Sequence, residues 1–103
     1  MTDTLRFLPE VEEDAVAAYI WYEEKSPGLG EEFLRTFYAD AGKLLQNPLL
    51  YPTLHLQFRR RLLRRFPYAI YFTTEKREVV VFGLFHCARD PRGIQSLLQH
   101  RQS

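Results

Sequence analysis

The chain has 103 residues, 46% of them hydrophobic and 26% charged, with a formal net charge of +1. That length suits one soluble domain, residues 1–103, and leaves no room for a second core. The longest uninterrupted apolar runs, residues 66–72 and 79–85, are seven residues each, against the roughly 20 that a membrane-spanning helix needs. No secretory pattern precedes Pro9 and the acids that follow it, so the expected compartment is the cytoplasm and no membrane partner is expected. One cysteine, Cys87, can form neither an internal disulfide nor, alone, a zinc site. Packing must therefore hold the fold, and an aromatic content of 15% supplies large side chains for it.

Residues 4–8 alternate around Arg6 and contain good strand formers, which predicts a first strand ended by Pro9. Pro9 suits the first turn of a helix, and Glu10, Glu12, Glu13 and Asp14 crowd the end where the helix dipole favours negative charge. This first helix runs to about residue 25, with Val11, Ala15, Ala18 and Tyr22 as its inward stripe and Trp21 beside it. Ser26-Pro27-Gly28 breaks it. A second helix starts at about residue 31 and carries a wide apolar face that includes Phe33, Phe37 and Leu44, until Asn47-Pro48 stops it. The short link makes the two helices an antiparallel hairpin.

Residues 49–57 have no clear period and read as a loop. Residues 58–63, 66–74 and 79–85 are rich in aromatic and β-branched side chains and are joined by short polar connections, which predicts neighbouring antiparallel strands. Pro67 has no backbone donor and belongs at a strand start or edge. After Asp90-Pro91, residues 92–100 predict a short C-terminal amphipathic turn or helix through Ile94, Leu97 and Leu98. The expected class is α+β, ordered β-α-α-β-β-β, with the helical hairpin on one face of a mainly antiparallel sheet.

The near-neutral charge hides a division. Residues 1–54 hold four basic and ten acidic side chains, a net −6, while residues 55–103 hold ten and three, a net +7. Arg59, Arg60, Arg61, Arg64 and Arg65 concentrate the positive charge and suit an acidic partner, either carboxylates or a nucleic acid. The simpler reading is mutual neutralisation of the two halves inside the fold.

The ordered set Trp21-Tyr22-Glu23-Glu24, Ser26-Pro27-Gly28-Leu29-Gly30-Glu31-Glu32-Phe33, Asn47-Pro48, Tyr51-Pro52, Arg65-Phe66-Pro67-Tyr68-Ala69-Ile70-Tyr71, His86 and Arg89-Asp90-Pro91 resembles the RelE/ParE superfamily of bacterial toxins. It is nearer the ParE-like branch, often labelled plasmid stabilisation proteins. The resemblance implies the toxin of a type II toxin–antitoxin pair, bound and silenced by a cognate antitoxin. ParE-like members imply DNA gyrase as target, and RelE-like members imply metal-independent cleavage of mRNA on the ribosome. An inactive module that only binds the antitoxin is a third reading.

Cleavage through a 2′-hydroxyl needs a proton acceptor, a proton donor and positive charge over the developing phosphorane. His86, at the predicted end of the last strand, is the acid–base candidate, and Arg59, Arg61 and Arg65, at even spacing, are the charge candidates. His86 is similar to the Tyr or His that RelE-like enzymes carry there, whereas Lys25, Lys43 and Lys76 fall at helix ends or a hairpin tip and match no catalytic lysine. The plainer role for His86 is a hydrogen bond to the following turn. For target or antitoxin binding the candidates are Arg59, Arg60, Arg61, Arg64, Arg65, Arg89, Trp21 and Tyr22. Trp21 and Tyr22 suit stacking on a partner or burial in a core. His55 and His100 lack a second ligand at metal spacing and read as surface residues, Cys87 as a small buried filler, and Glu23-Glu24 and Glu31-Glu32 as solvated. No metal or cofactor is expected.

Overall fold

A computed structural model describes residues 4–102. Strand β1 (Thr4–Phe7) gives way after one residue to helix α1 (Pro9–Lys25), which begins on the proline with Glu10 and Glu12 in its first turn. Helix α2 (Leu29–Lys43) starts two residues earlier than the acids at 31 suggested. Gly28 adopts a left-handed φ of 89°, and the carboxylate of Glu23 accepts hydrogen bonds from the N–H groups of Gly28 and Gly30 at 2.9 and 3.0 Å. Glu23 thus satisfies two of the donors that a helix start leaves unpaired, and is not merely solvated.

The remaining elements are β2 (Thr53–His55), β3 (Phe58–Leu62), β4 (Tyr68–Glu75), β5 (Glu78–His86) and α3 (Pro91–Gln102). The stretch read as a loop over residues 49–57 instead contains the end of a 3₁₀ turn, Pro48–Leu50, and the edge strand β2. Too short to show a period, β2 is specified by pairing: Thr53 lies opposite Arg59, and His55 opposite Phe58. Pro67 immediately precedes β4, and its carbonyl accepts the Cys87 N–H at 2.8 Å.

The sheet order is β1-β5-β4-β3-β2. All pairings are antiparallel except that of β1 with β5, which is parallel. One sheet face packs on the hairpin through Val11, Ala15, Phe33, Phe37, Ile70, Phe72 and Val81. The other face carries Phe58, Tyr71, Val80, Phe82 and Phe85 beneath Ile94 and Leu98. Strand β5 is buried on both faces, which is why residues 79–85 read as a continuous apolar run rather than an alternating one. That second face requires a cover, and α3 supplies it as a 12-residue helix, the longer of the two forms expected there.

Strand β1 pairs β5 only as far as Val81. Beyond it, two side chains take over the open edge. Asp14 on α1 accepts the Leu84 N–H at 3.1 Å, and Arg101 on α3 donates to the Phe82 carbonyl at 2.8 Å. The same two residues form a two-pronged ion pair at 2.7 and 2.9 Å, which ties the helices on opposite sheet faces together. The hydrogen bond to Asp14 raises the Arg101 pKa above its ordinary value, against the opposing effect of burial.

Candidate functional site

Alternation along β3 separates the arginines by face. Arg59 and Arg61 share one face, as their even spacing predicted; that face is the hairpin side, and there they meet partners from the same chain. Arg59 donates to the carbonyls of Tyr51 and, at 3.4 Å, Leu49. Arg61 donates to the Tyr51 hydroxyl and lies 3.4 Å from the Asp40 carboxylate. Asp40 is fully buried on α2 and also receives the Arg64 guanidinium at 3.3 Å and the Arg64 backbone N–H at 3.1 Å. Arg65 leaves the strand pattern altogether: it sits in the β3–β4 connection with φ 70° and pairs with Glu32 at 2.8 Å. Arg60 faces the opposite side of the sheet and lines a groove beside α3.

His86 ends β5, exposed, in register with Tyr68 on β4. Its Nδ1 accepts the Ala88 N–H at 2.9 Å, the turn-stabilising role, and its ring stands edge-on to Tyr68 with centroids 5.1 Å apart. Together with Trp21, Tyr68, Arg89 and Asp14 it lines a cavity of ≈ 390 Å³ between the end of β5 and α1. Trp21 is 52% exposed and carries the Lys25 ammonium over its ring at 4.5 Å, while the Arg89 guanidinium lies 5.1 Å from the Phe85 ring. The cavity therefore combines aromatic faces with a guanidinium, an imidazole and the Asp14 carboxylate that Arg101 already pairs, a composition suited to a planar or apolar group.

Three of the sequence-predicted residues, Trp21, His86 and Arg89, thus come together. Arg59, Arg61 and Arg65 do not line this cavity, so the combination of His86 with those arginines is not assembled in one place. Tyr22 is a core residue. Its ring stacks on Phe33 at 5.2 Å and meets Phe66 and Tyr68, so it presents no binding face. Burial pushes the phenol pKa of both Tyr22 and Tyr68 above the ordinary value. Cys87, expected as a buried filler, is exposed, because β5 ends at His86 and the cysteine falls in the turn beyond it. Among the described residues no group of three or more His, Cys, Asp or Glu is placed to hold a metal ion, and no helix is long and apolar enough to cross a membrane.

Sequence reasoning missed Asp40, Asp14, Tyr68 and Arg101. Asp14 and Asp40 left a signal, since each falls on the inward stripe of its helix, Asp14 beside Val11, Ala15 and Ala18 and Asp40 beside Phe33, Phe37 and Leu44. An acid on an apolar stripe requires a buried partner. Nothing local in the sequence says which arginine answers it.

No family model matches the chain, and no curated protein matches it. Among solved structures it is similar to a chain of "Chromosomal ParDE TA system from P. aeruginosa", with a TM-score of 0.74 and 17% identity over 81% of this chain and 94% of that one. At that identity the likeness carries the fold. The ParE-like α+β architecture implied by the ordered sequence motifs is the architecture observed.

Proposed function

We propose that this chain is the toxin of a type II toxin–antitoxin pair, acting in the cytoplasm by binding a target, DNA gyrase, and silenced by a cognate antitoxin. The observation that carries the reading is the ParE-like fold, shared with a chain of a ParDE toxin–antitoxin structure. The disposition of the arginines favours binding over RNA cleavage. A cleaving centre needs cationic groups and a proton-transfer group around one phosphate. Here Arg61 and Arg64 are engaged by Asp40, Arg65 by Glu32 and Arg59 by backbone carbonyls, while the Nδ1 of His86 holds its turn. In this reading the cavity of Trp21, Tyr68, His86 and Arg89 faces the target, and the arginine run mainly joins the sheet to the hairpin.

The test is induction of the chain without its genetic neighbour, combined with assays of DNA supercoiling by purified gyrase and of translation-dependent mRNA cleavage. The expected result is growth arrest with DNA breaks and loss of supercoiling, reversed by the antitoxin. In a folded His86→Ala variant, toxicity should change only through local packing or target affinity. Robust mRNA cleavage that falls by roughly 10²- to 10⁴-fold in that variant would overturn the reading in favour of a RelE-like ribonuclease. Antitoxin binding with no toxicity of any kind would leave the inactive module.

A further inference from the structure

On the hairpin side of the sheet, a small pocket of ≈ 180 Å³ opens where the end of α2 and the 3₁₀ turn meet β3. Lys43, Gln46, Asn47, Leu50, Tyr51 and Arg61 line it, and no Asp or Glu does. It shares no residue with the cavity of Trp21, His86 and Arg89 or with the groove beside α3.

Three observations point to an oxyanion. Positive charge is in excess at this corner: Arg61 and Arg64 share the single carboxylate of Asp40, Arg59 meets only carbonyls, and the Lys43 side chain has neither an ion pair nor a hydrogen bond among the described residues. Asp40 stands 3.4 Å from Arg61, and the Arg61 Nε is buried with no acceptor, so this guanidinium is under-compensated for its depth. The nearby backbone acceptors, by contrast, are taken. The carbonyls of Ala41, Gly42 and Lys43 receive the N–H groups of Leu44, Leu45 and Gln46, and those of Asn47 and Pro48 receive Leu50 and Tyr51. The Tyr51 hydroxyl accepts from Arg61, which leaves its own proton to donate. An ammonium, two amides, a phenol and a guanidinium therefore supply donors to the pocket. The sheet-side donors are fixed in advance, since Arg61 is in register with Ile70 and the Tyr51 ring stands edge-on to Phe72 at 5.7 Å.

We propose that this pocket binds the terminal phosphate of a small phosphate monoester. A tetrahedral dianion accepts from three directions at once: the Lys43 ammonium at the helix end, the amides of Gln46 and Asn47, and Arg61 with Tyr51 from the sheet. A planar carboxylate carries one charge and answers fewer of these donors. The organic part of the ester rests on Leu49 and Leu50, which are 68% and 79% exposed. A nucleic-acid backbone calls for a row of cations. Here the charge forms a point, because Arg60 lies on the opposite sheet face and Arg65 is held by Glu32. The bound phosphate joins the end of α2 to β3 and so favours the folded chain. This site stands whether or not the chain is a toxin.

The test is calorimetric titration of the full chain with butyl phosphate, inorganic phosphate, dimethyl phosphate and pentanoate, at a fixed ionic strength of about 0.15 M so that screening is constant. Butyl phosphate should bind more tightly than inorganic phosphate by about threefold or more, through its contact with the leucines. Its affinity should rise between about pH 5 and 7.5, as the second phosphate proton leaves. Lys43 and Gln46 are both exposed and outside the core, so their variants should keep the wild-type circular dichroism spectrum. Lys43→Ala should weaken binding by about tenfold or more, Gln46→Glu should abolish it by adding a like charge, and Lys76→Ala at the β4–β5 tip should leave it unchanged. Binding of pentanoate or dimethyl phosphate as tight as that of butyl phosphate, an affinity indifferent to pH, or undiminished binding in folded Lys43→Ala and Gln46→Glu would overturn the site. Tighter binding of inorganic phosphate than of the ester would overturn the monoester as its occupant in favour of the free anion.

Discussion

Asp40 shows what one buried charge can organise. Its side chain is wholly inaccessible, yet it meets the guanidinium groups of Arg61 and Arg64 and the Arg64 backbone N–H. Removing one partner of such a pair leaves the other uncompensated in a low-dielectric setting, at a cost of about 3–5 kcal/mol. The Arg64 side chain is 60% exposed and solvent can recover it, whereas that of Arg61 is only 17% exposed. Asp40→Ala should therefore lose about 3 kcal/mol, read as a fall of roughly 10 °C or more in the thermal midpoint. A change of only a few tenths would show that the pair is structurally idle. Tyr22 and Tyr68 act through pH. Burial raises their phenol pKa above the ordinary 10.0, so in alkali the folded state retains protons that the unfolded state releases. Stability should be intact below pH 10.0 and should decline as pH rises through the elevated folded values. Urea midpoints measured between about pH 8 and 11 check this, and Tyr22→Phe should flatten the decline.

The hairpin depends on a close approach between its helices. A Cβ on Gly30 would lie 2.7 Å from the Tyr19 carbonyl oxygen and 2.9 Å from Glu23 Oε1, the atom that accepts the Gly30 N–H. Gly30→Ala must therefore push α1 and α2 apart or break the Glu23 cap, and should cost about 1–3 kcal/mol by chemical denaturation. An unchanged denaturation midpoint would show that the helices can part freely. Gly83 is set apart in the same way, because a side chain there would run into the Phe85 ring. In the sequence Gly30 follows a helix break and Gly83 lies inside an apolar run, and neither is marked as necessary. Their necessity comes from the neighbour that each meets. The helices themselves were legible, because Val11, Ala15, Ala18 and Tyr22 repeat at helical spacing and remain buried. Strand β2 and the full length of α3 were not, because a three-residue edge strand has no period and α3 is fixed by the aromatic sheet face that it covers.

Across the whole molecule, the charge division folds back on itself. Asp14 with Arg101, Glu32 with Arg65, and Asp40 with Arg61 each join an acid from the first half to an arginine from the second. Neutralisation between the halves therefore accounts for more of the arginine run than its density suggested, and within that run only Arg60 has no side-chain partner among the described residues. An antitoxin that binds only the folded chain should raise its stability by about 2.7 kcal/mol at a hundredfold excess over Kd. The gain should shrink as salt increases from about 50 to 500 mM, since exposed ionic contacts are screened. Calorimetry of the free chain and the complex measures both effects. A free chain as stable as the complex at every partner concentration would contradict the toxin–antitoxin reading.

By itself the sequence determined the α+β order, the hairpin, the three long strands and the burial of their apolar faces, because periodicity and chain breakers act within a few neighbouring residues. The ordered motifs also pointed to the ParE-like architecture. Only tertiary structure decided which arginines are occupied, because Asp40 lies more than twenty residues from Arg61 and Arg64 and Asp14 lies 87 from Arg101. It likewise placed His86 with Trp21 and Arg89, and separated Arg60 from its neighbours onto the opposite face. Residue type states what a side chain can bind. Whether a group is available for a partner depends on what the folded chain has already brought within reach, and that pairing is set by long-range register and burial.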